Sequence, residues 1–129
     1  MPTQTAPKRT AYYVVGDTAP PYRVRLEEDD GSPIDLTDAA SAVINIAYSR
    51  WSYFYAPFKK IVSAFAVTID ADQVNNKGFV DYNPAVGHFF IAGTFYASFK
   101  VTWNDGTVQT VPSNTYLPIV VTSDVGGAP

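Results

Sequence analysis

Three groups of side chains in this 129-residue chain have types and spacings that chemistry can use. The first is the only histidine, His88, in the stretch VGHFFIAG. Histidine exchanges protons near neutral pH. Here its neighbours are apolar, and a lone histidine in that setting reads as a packed or surface residue rather than a catalyst. The second group is carboxylate. Glu27-Glu28-Asp29-Asp30-Gly31 departs from the D-x-[DN]-x-[DN]-G spacing of a calcium loop. A solvated turn at the end of a strand is the better reading, and Asp70 and Asp72 flank a turn in the same way. Paired carboxylates hydrolyse glycosides only at a defined separation across a cleft. A domain of this length leaves little room for one.

The third group is RWSYFYAPFKK, residues 50–60. Trp51, Tyr53, Phe54, Tyr55 and Phe58 are aromatic, Arg50, Lys59 and Lys60 are cationic, and no acid interrupts them. Bases stack on rings and phosphates attract cations, so the ingredients of a nucleic-acid platform are present. The cations lie only at the ends, however, and the net charge of −3 gives no general field for a polyanion. A sugar shelf needs convergent polar groups beside its rings, and this stretch has few. Strand alternation puts Trp51, Tyr53 and Tyr55 on one face, Phe54 on the other, and Phe58 beyond a bend at Pro57. One face then fills core. The apolar area left over marks a protein interface, where Tyr, Trp, Phe and Arg are enriched. The expected interface is Trp51, Tyr53, Phe54, Tyr55 and Phe58, rimmed by Arg50 and Lys59.

No GxSxG, P-loop or GxGxxG occurs, and there is no cysteine. Disulfides, thiolate metal sites and cysteine nucleophiles are therefore excluded. The expectation is a protein that is not an enzyme and that uses no cofactor and no metal. Nothing approaches the roughly 18 continuous apolar residues of a membrane helix. MPTQTAPKRT has no apolar run of a secretory signal. Both point to a protein made in a cytoplasm, with no membrane partner.

The elements that position these residues are strands. Hydrophobic residues make up 47% of the chain, aromatics 15% and charged residues 16%, with 10 Pro and 8 Gly, a balance that favours an all-β domain with many turns. In YRVRLEED, Tyr22, Val24 and Leu26 alternate with Arg23, Arg25 and Glu27 at a period of two. TFYASFKVTW is the strongest such signal: Phe95, Ala97, Phe99, Val101 and Trp103 share a face. Asn104-Asp105-Gly106 supplies hairpin chemistry, since these residues tolerate positive φ, and TVQTV returns as the partner. AYYVV, AVINIAYS, IVSAFAVTI, FVDY and YLPIVVT complete the set. IVSAFAVTI reads as one long strand with Ile61, Phe65, Val67 and Ile69 on one face. Pro118 inside YLPIVVT argues for a sheet edge or a bulge. IDLTDAAS reads as a helical turn or an irregular lead into a strand, and DADQVNNKG as a polar turn. Residues 1–10 are expected to be a flexible arm, 11–123 a sandwich of about seven or eight strands, and 124–129 a flexible tail.

This pattern resembles the N-terminal immunoglobulin-like domain of the phage baseplate upper protein family. GDTAPP at 16–21 resembles that family's opening motif. LEEDDGSPIDLTDA at 26–39 is similar to its strand and "dG.piDLT" turn, KGFVDYN at 77–83 to its "G.v.Y" strand, and GTFYASFKVTWNDGTVQTVPS at 93–113 to its long hairpin. The resemblance covers most of residues 12–122. It implies an Ig-like antiparallel β-sandwich in the virion of a tailed phage, assembled in the host bacterial cytoplasm. Its partners would be other virion proteins, met in multiple symmetric copies, at the tail, baseplate or neck. The alternatives are a head-associated decoration or connector protein of the same virion, or a carbohydrate-binding module for host attachment. RWSYFYAPFKK is where the chain departs most from the family, whose version of that segment is plainer.

Overall fold

The structure is a computed structural model that describes residues 10–48, 59–112 and 117–123, with Lys59 and Lys60 described by backbone alone. The chain is all-β. Among the described residues no helix forms, and nine strands build two sheets. The strands are β1 (Ala11–Val14), β2 (Tyr22–Arg25), β3 (Ala39–Tyr48), β4 (Lys59–Ala66), β5 (Thr68–Ile69), β6 (Phe79–Tyr82), β7 (Gly93–Trp103), β8 (Val108–Val111) and β9 (Leu117–Thr122). One sheet runs in the order β1-β9-β7-β3-β4, with β8 continuing along the edge of β7 that β9 leaves. The other is β2-β6-β5.

The period-two patterns fix which side of each sheet is core. Phe95, Ala97, Phe99 and Val101 of β7 are all fully buried, while Tyr96, Ser98 and Lys100 between them are not. Ile44 and Ile46 of β3 pair with Phe99 and Ala97 and share their face. Tyr22, Val24 and Leu26 meet them from the other sheet, with Val80 and Tyr82 of β6. The ring of Phe65 on β4 meets that of Tyr82 edge to face at 5.9 Å, which closes the sandwich. Each large side chain so buried contributes about 1.5–3 kcal/mol.

Two readings of the sequence need correction. IVSAFAVTI is not one strand. It leaves the large sheet after Ala66, crosses at Val67, and joins the small sheet as β5, which turns eight expected strands into nine. Along β4 the register against β3 slips on either side of Ile46. The inserted residues put Val62, at 4% exposure, into the core, and Ile61 is only partly buried. Ala64 takes φ 53° at this bulge, and its N–H donates to the Asn45 side-chain oxygen at 2.8 Å. The sandwich is also not wholly antiparallel, because β1 runs parallel to β9 from Ala11 opposite Ile119 to Val14 opposite Thr122. Pro118 therefore sits in a strand flanked by β7 and β1, just before the span that β1 covers.

The turns follow their residues. Gly106 adopts φ 90° and closes the β7–β8 hairpin, with the Trp103 N–H donating to Thr107 at 2.8 Å. IDLTDAAS makes an irregular lead into β3, where Asp35 accepts from the Thr37 N–H at 3.0 Å.

Candidate functional site

Strand direction sorts the loops into two ends with opposite chemistry. At one end lie the loops 26–38, 70–78 and 104–107, which carry most of the acidic residues. At the other lie the β1–β2 loop, the β6–β7 loop 83–92, and the last residue of β3, Tyr48, which pairs with the first of β4, Lys59.

The acidic end is built of closed turns. Asp30 accepts from the hydroxyl and N–H of Ser32 at 2.7 and 3.0 Å, and Asp105 accepts from those of Thr107 at 2.6 and 2.9 Å. Asp72 gathers the Asn75 and Val74 N–H groups. These hydrogen bonds favour the ionised forms and hold the carboxyls of Asp30, Asp72 and Asp105 below their usual values. The carboxylates thus serve as turn acceptors, and among the described residues no group of three or more His, Cys, Asp or Glu is placed to hold a metal ion.

Gln73 organises this end, and nothing in the sequence pattern announced it. At 9% exposure its Oε1 accepts from the Leu36 and Gly78 N–H groups, both at 3.0 Å, and its Nε2 donates to the Asp70 carbonyl at 2.6 Å. One amide therefore ties the lead into β3 to the loop before β6. Nearby, the Arg23 guanidinium bridges Asp70 at 2.5 Å and Asp81 at 2.9 Å and lies 4.6 Å over the Phe79 ring. The hydrogen bond from Arg23, with one from the Asp72 N–H, lowers the Asp70 pKa.

The opposite end is aromatic. Tyr48 tilts against Phe95 at 4.8 Å and meets Phe90 edge to face at 6.4 Å. A side chain at Gly93 would collide with the Tyr48 ring, whose Cε1 would lie 2.7 Å from an added Cβ. Phe89 is buried and stacks on Tyr13 at 4.7 Å, and its carbonyl accepts the Gly16 N–H. The Tyr13 hydroxyl donates to the Pro20 carbonyl at 2.7 Å, and burial pushes its pKa up to about 12. Outside this packed layer, Val86 is 91% exposed and Phe90 53%. An open cleft of about 340 Å³ adjoins this end between β1 and β2, lined among others by Tyr12, Pro20, Pro21 and Arg23.

His88 belongs to the aromatic end. Its Nδ1 accepts the Ala85 N–H at 3.1 Å and lies 2.5 Å from the Tyr82 hydroxyl. Burial lowers its pKa. The Ala85 N–H and the Tyr82 hydroxyl join this ring to the loop and to β6.

Of the residues expected to form the interface, Arg50, Trp51, Tyr53, Phe54, Tyr55 and Phe58 lie outside the described residues. Lys59 begins β4 with its backbone opposite Tyr48, so the segment is joined to the sandwich at the aromatic end. The sequence does not single out Phe90 and Val86, which stand in it only as apolar neighbours of His88. Among the described residues no helix is long and apolar enough to cross a membrane. No family model, no curated protein and no solved structure matches this chain.

Proposed function

We propose that this chain is a non-enzymatic structural protein of a tailed-phage virion, an Ig-like module that docks onto other virion proteins at the tail, baseplate or neck. The observation that carries the reading is the chemistry of the aromatic end. Exposed Phe90 stands beside Tyr48, the last strand residue before RWSYFYAPFKK, and exposed Val86 lies in the same loop as Phe90. Exposed apolar side chains at one end of a small sandwich suit burial against a partner. The strand order supports the Ig-like part of the reading: β1-β9-β7-β3-β4 faces β2-β6-β5, with the first and last strands parallel. Docking then proceeds by burial of Trp51, Tyr53, Phe54, Tyr55 and Phe58, with Arg50 and Lys59 at the rim.

Mass spectrometry of purified particles tests the location, and absence of the protein from them refutes it. Replacing Phe54 and Phe58 with Ser tests the surface. The expected product is a folded protein that no longer enters particles; loss of the fold would assign these rings to the core instead. A carbohydrate-binding role is the second reading, favoured by Tyr12, 71% exposed, at the mouth of the β1–β2 cleft. It requires glycan binding by the isolated chain that Tyr12→Ala abolishes. A head decoration or connector role would place the same docking surface on the capsid, and imaging of particles separates it from the tail.

A further inference from the structure

The first half of the β6–β7 loop is tied to β6 through one ring nitrogen. A backbone N–H can only donate, so the 3.1 Å contact from Ala85 requires a lone pair on His88 Nδ1 and leaves the ring hydrogen on Nε2. The Tyr82 hydroxyl points at the same nitrogen from 2.5 Å, and Tyr82 itself is fully buried at the end of β6. The edge of Phe65, on β4, closes against the imidazole at 4.7 Å. The His88 N–H returns to the Ala85 carbonyl at 3.0 Å, so both polar groups of Ala85 depend on this residue.

We infer that His88 is a pH-operated latch on the first half of the 83–92 loop: the neutral ring ties Ala85 to β6, and protonation of Nδ1 undoes the tie and frees the turn that carries exposed Val86. A hydrogen placed on Nδ1 would meet the Ala85 N–H head on. Tyr82 can turn a lone pair towards it, but the amide has none to offer. The charged ring would also have to stay between Phe65 and Tyr82. Among the described residues the Tyr82 phenol is the one titratable side chain shown in contact with the imidazole. Burial raises the Tyr82 pKa, so it stays neutral throughout the relevant range. Phe65 and the loop itself bring no charge to the ring.

The direction follows from linkage. Burial lowers the His88 pKa in the closed loop, whereas an opened, solvated ring returns to about 6.5. Opening therefore takes up a proton below pH ~6.5. Its equilibrium constant grows up to about tenfold for each pH unit down to the closed-state pKa. The tie is complete above pH ~6.5 and weakens as the medium acidifies.

Since His88 is the only histidine, nuclear magnetic resonance of the labelled full chain reads the latch directly. The expected result is the Nε2–H tautomer at pH 7.5 and a midpoint below 6.5. Amide signals from Ala85 to His88 should move in step with that midpoint while those of Phe95 to Val101 stay fixed. His88→Gln offers a non-titrating acceptor and should remove the pH response of the loop. Tyr82→Phe keeps the buried ring and removes the hydroxyl, and it should raise the midpoint towards 6.5. An Nδ1–H tautomer, a midpoint at or above 6.5, or loop signals indifferent to the titration would overturn the inference. The wild-type titration decides the matter even if a variant does not fold.

Discussion

Replacing Gln73 with Ala should cost this protein far more than a loop substitution normally does. Two amides, those of Leu36 and Gly78, lose their acceptor at a buried site, and the Asp70 carbonyl loses a donor. A buried N–H left without a partner costs about 1–3 kcal/mol, and a lost hydrogen bond about 0.5–1.5 kcal/mol. Water entering the space of the deleted side chain offsets part of this, so the expected loss is near the lower sum, about 2.5 kcal/mol. For a domain whose total stability is of the order of 5–15 kcal/mol this is a large fraction. It corresponds to a melting temperature lower by roughly 10 °C at this chain length. Urea unfolding followed by tryptophan fluorescence, with thermal melts alongside, measures it. Gln73→Glu keeps an oxygen for the two amides but sets a carboxylate against the Asp70 carbonyl, and should fall between wild type and Gln73→Ala at pH 7. A loss under about 1 kcal/mol for Gln73→Ala would mean that the Leu36 and Gly78 amides do not rely on this side chain.

Two further outcomes follow from the geometry. Ala64 occupies left-handed backbone at φ 53°, which costs an L-residue with a side chain roughly 1–2 kcal/mol. Ala64→Gly should therefore stabilise the protein by up to about 1 kcal/mol despite glycine's entropy in the unfolded chain, and a destabilised variant would contradict the bulge. Asp70 has its pKa lowered chiefly by Arg23, so its contribution is present above the ordinary carboxylate value of 3.8 and fades as pH falls below it. Asp70→Asn should lower the melting temperature at pH 7 and flatten its decline between about pH 4 and 2. Calorimetry across that range checks the slope, and an unchanged slope speaks against the Arg23 bridge.

What the sequence made legible was whatever alternates. Phe95 to Val101, Tyr22 to Leu26 and Ile44 to Ile46 declared their buried faces because a strand imposes a period of two on a half-buried sheet. Asn104-Asp105-Gly106 declared its hairpin through backbone preference. IVSAFAVTI misled because an inserted residue shifts side-chain parity, and an alanine at positive φ leaves no mark in composition. Gln73 was invisible for another reason: its role is to satisfy backbone N–H groups, and DADQVNNKG reads as uniformly polar whichever side chain turns inward. The sequence reads His88 as a packed or surface residue among apolar neighbours, and its hold on Ala85 depends on a ring orientation that spacing does not encode. At the aromatic end, Tyr48 is legible as the strand residue leading into RWSYFYAPFKK. The exposure of Phe90 beside buried Phe89 emerges only when the loop folds over Tyr13.

The parallel pairing of β1 with β9 has a mechanical meaning. Chain enters β1 at Ala11 and leaves β9 at Thr122, which lie at opposite ends of the shared ladder. Tension drawn through the two flanking segments therefore pulls the strands lengthwise past each other. The hydrogen bonds between Ala11–Val14 and Ile119–Thr122 must then rupture as a set, in shear, rather than one after another as in an unzipping hairpin. A module tethered through both flanks would hold force in its strongest direction, and a β8–β7 hairpin pulled apart from its open end would not.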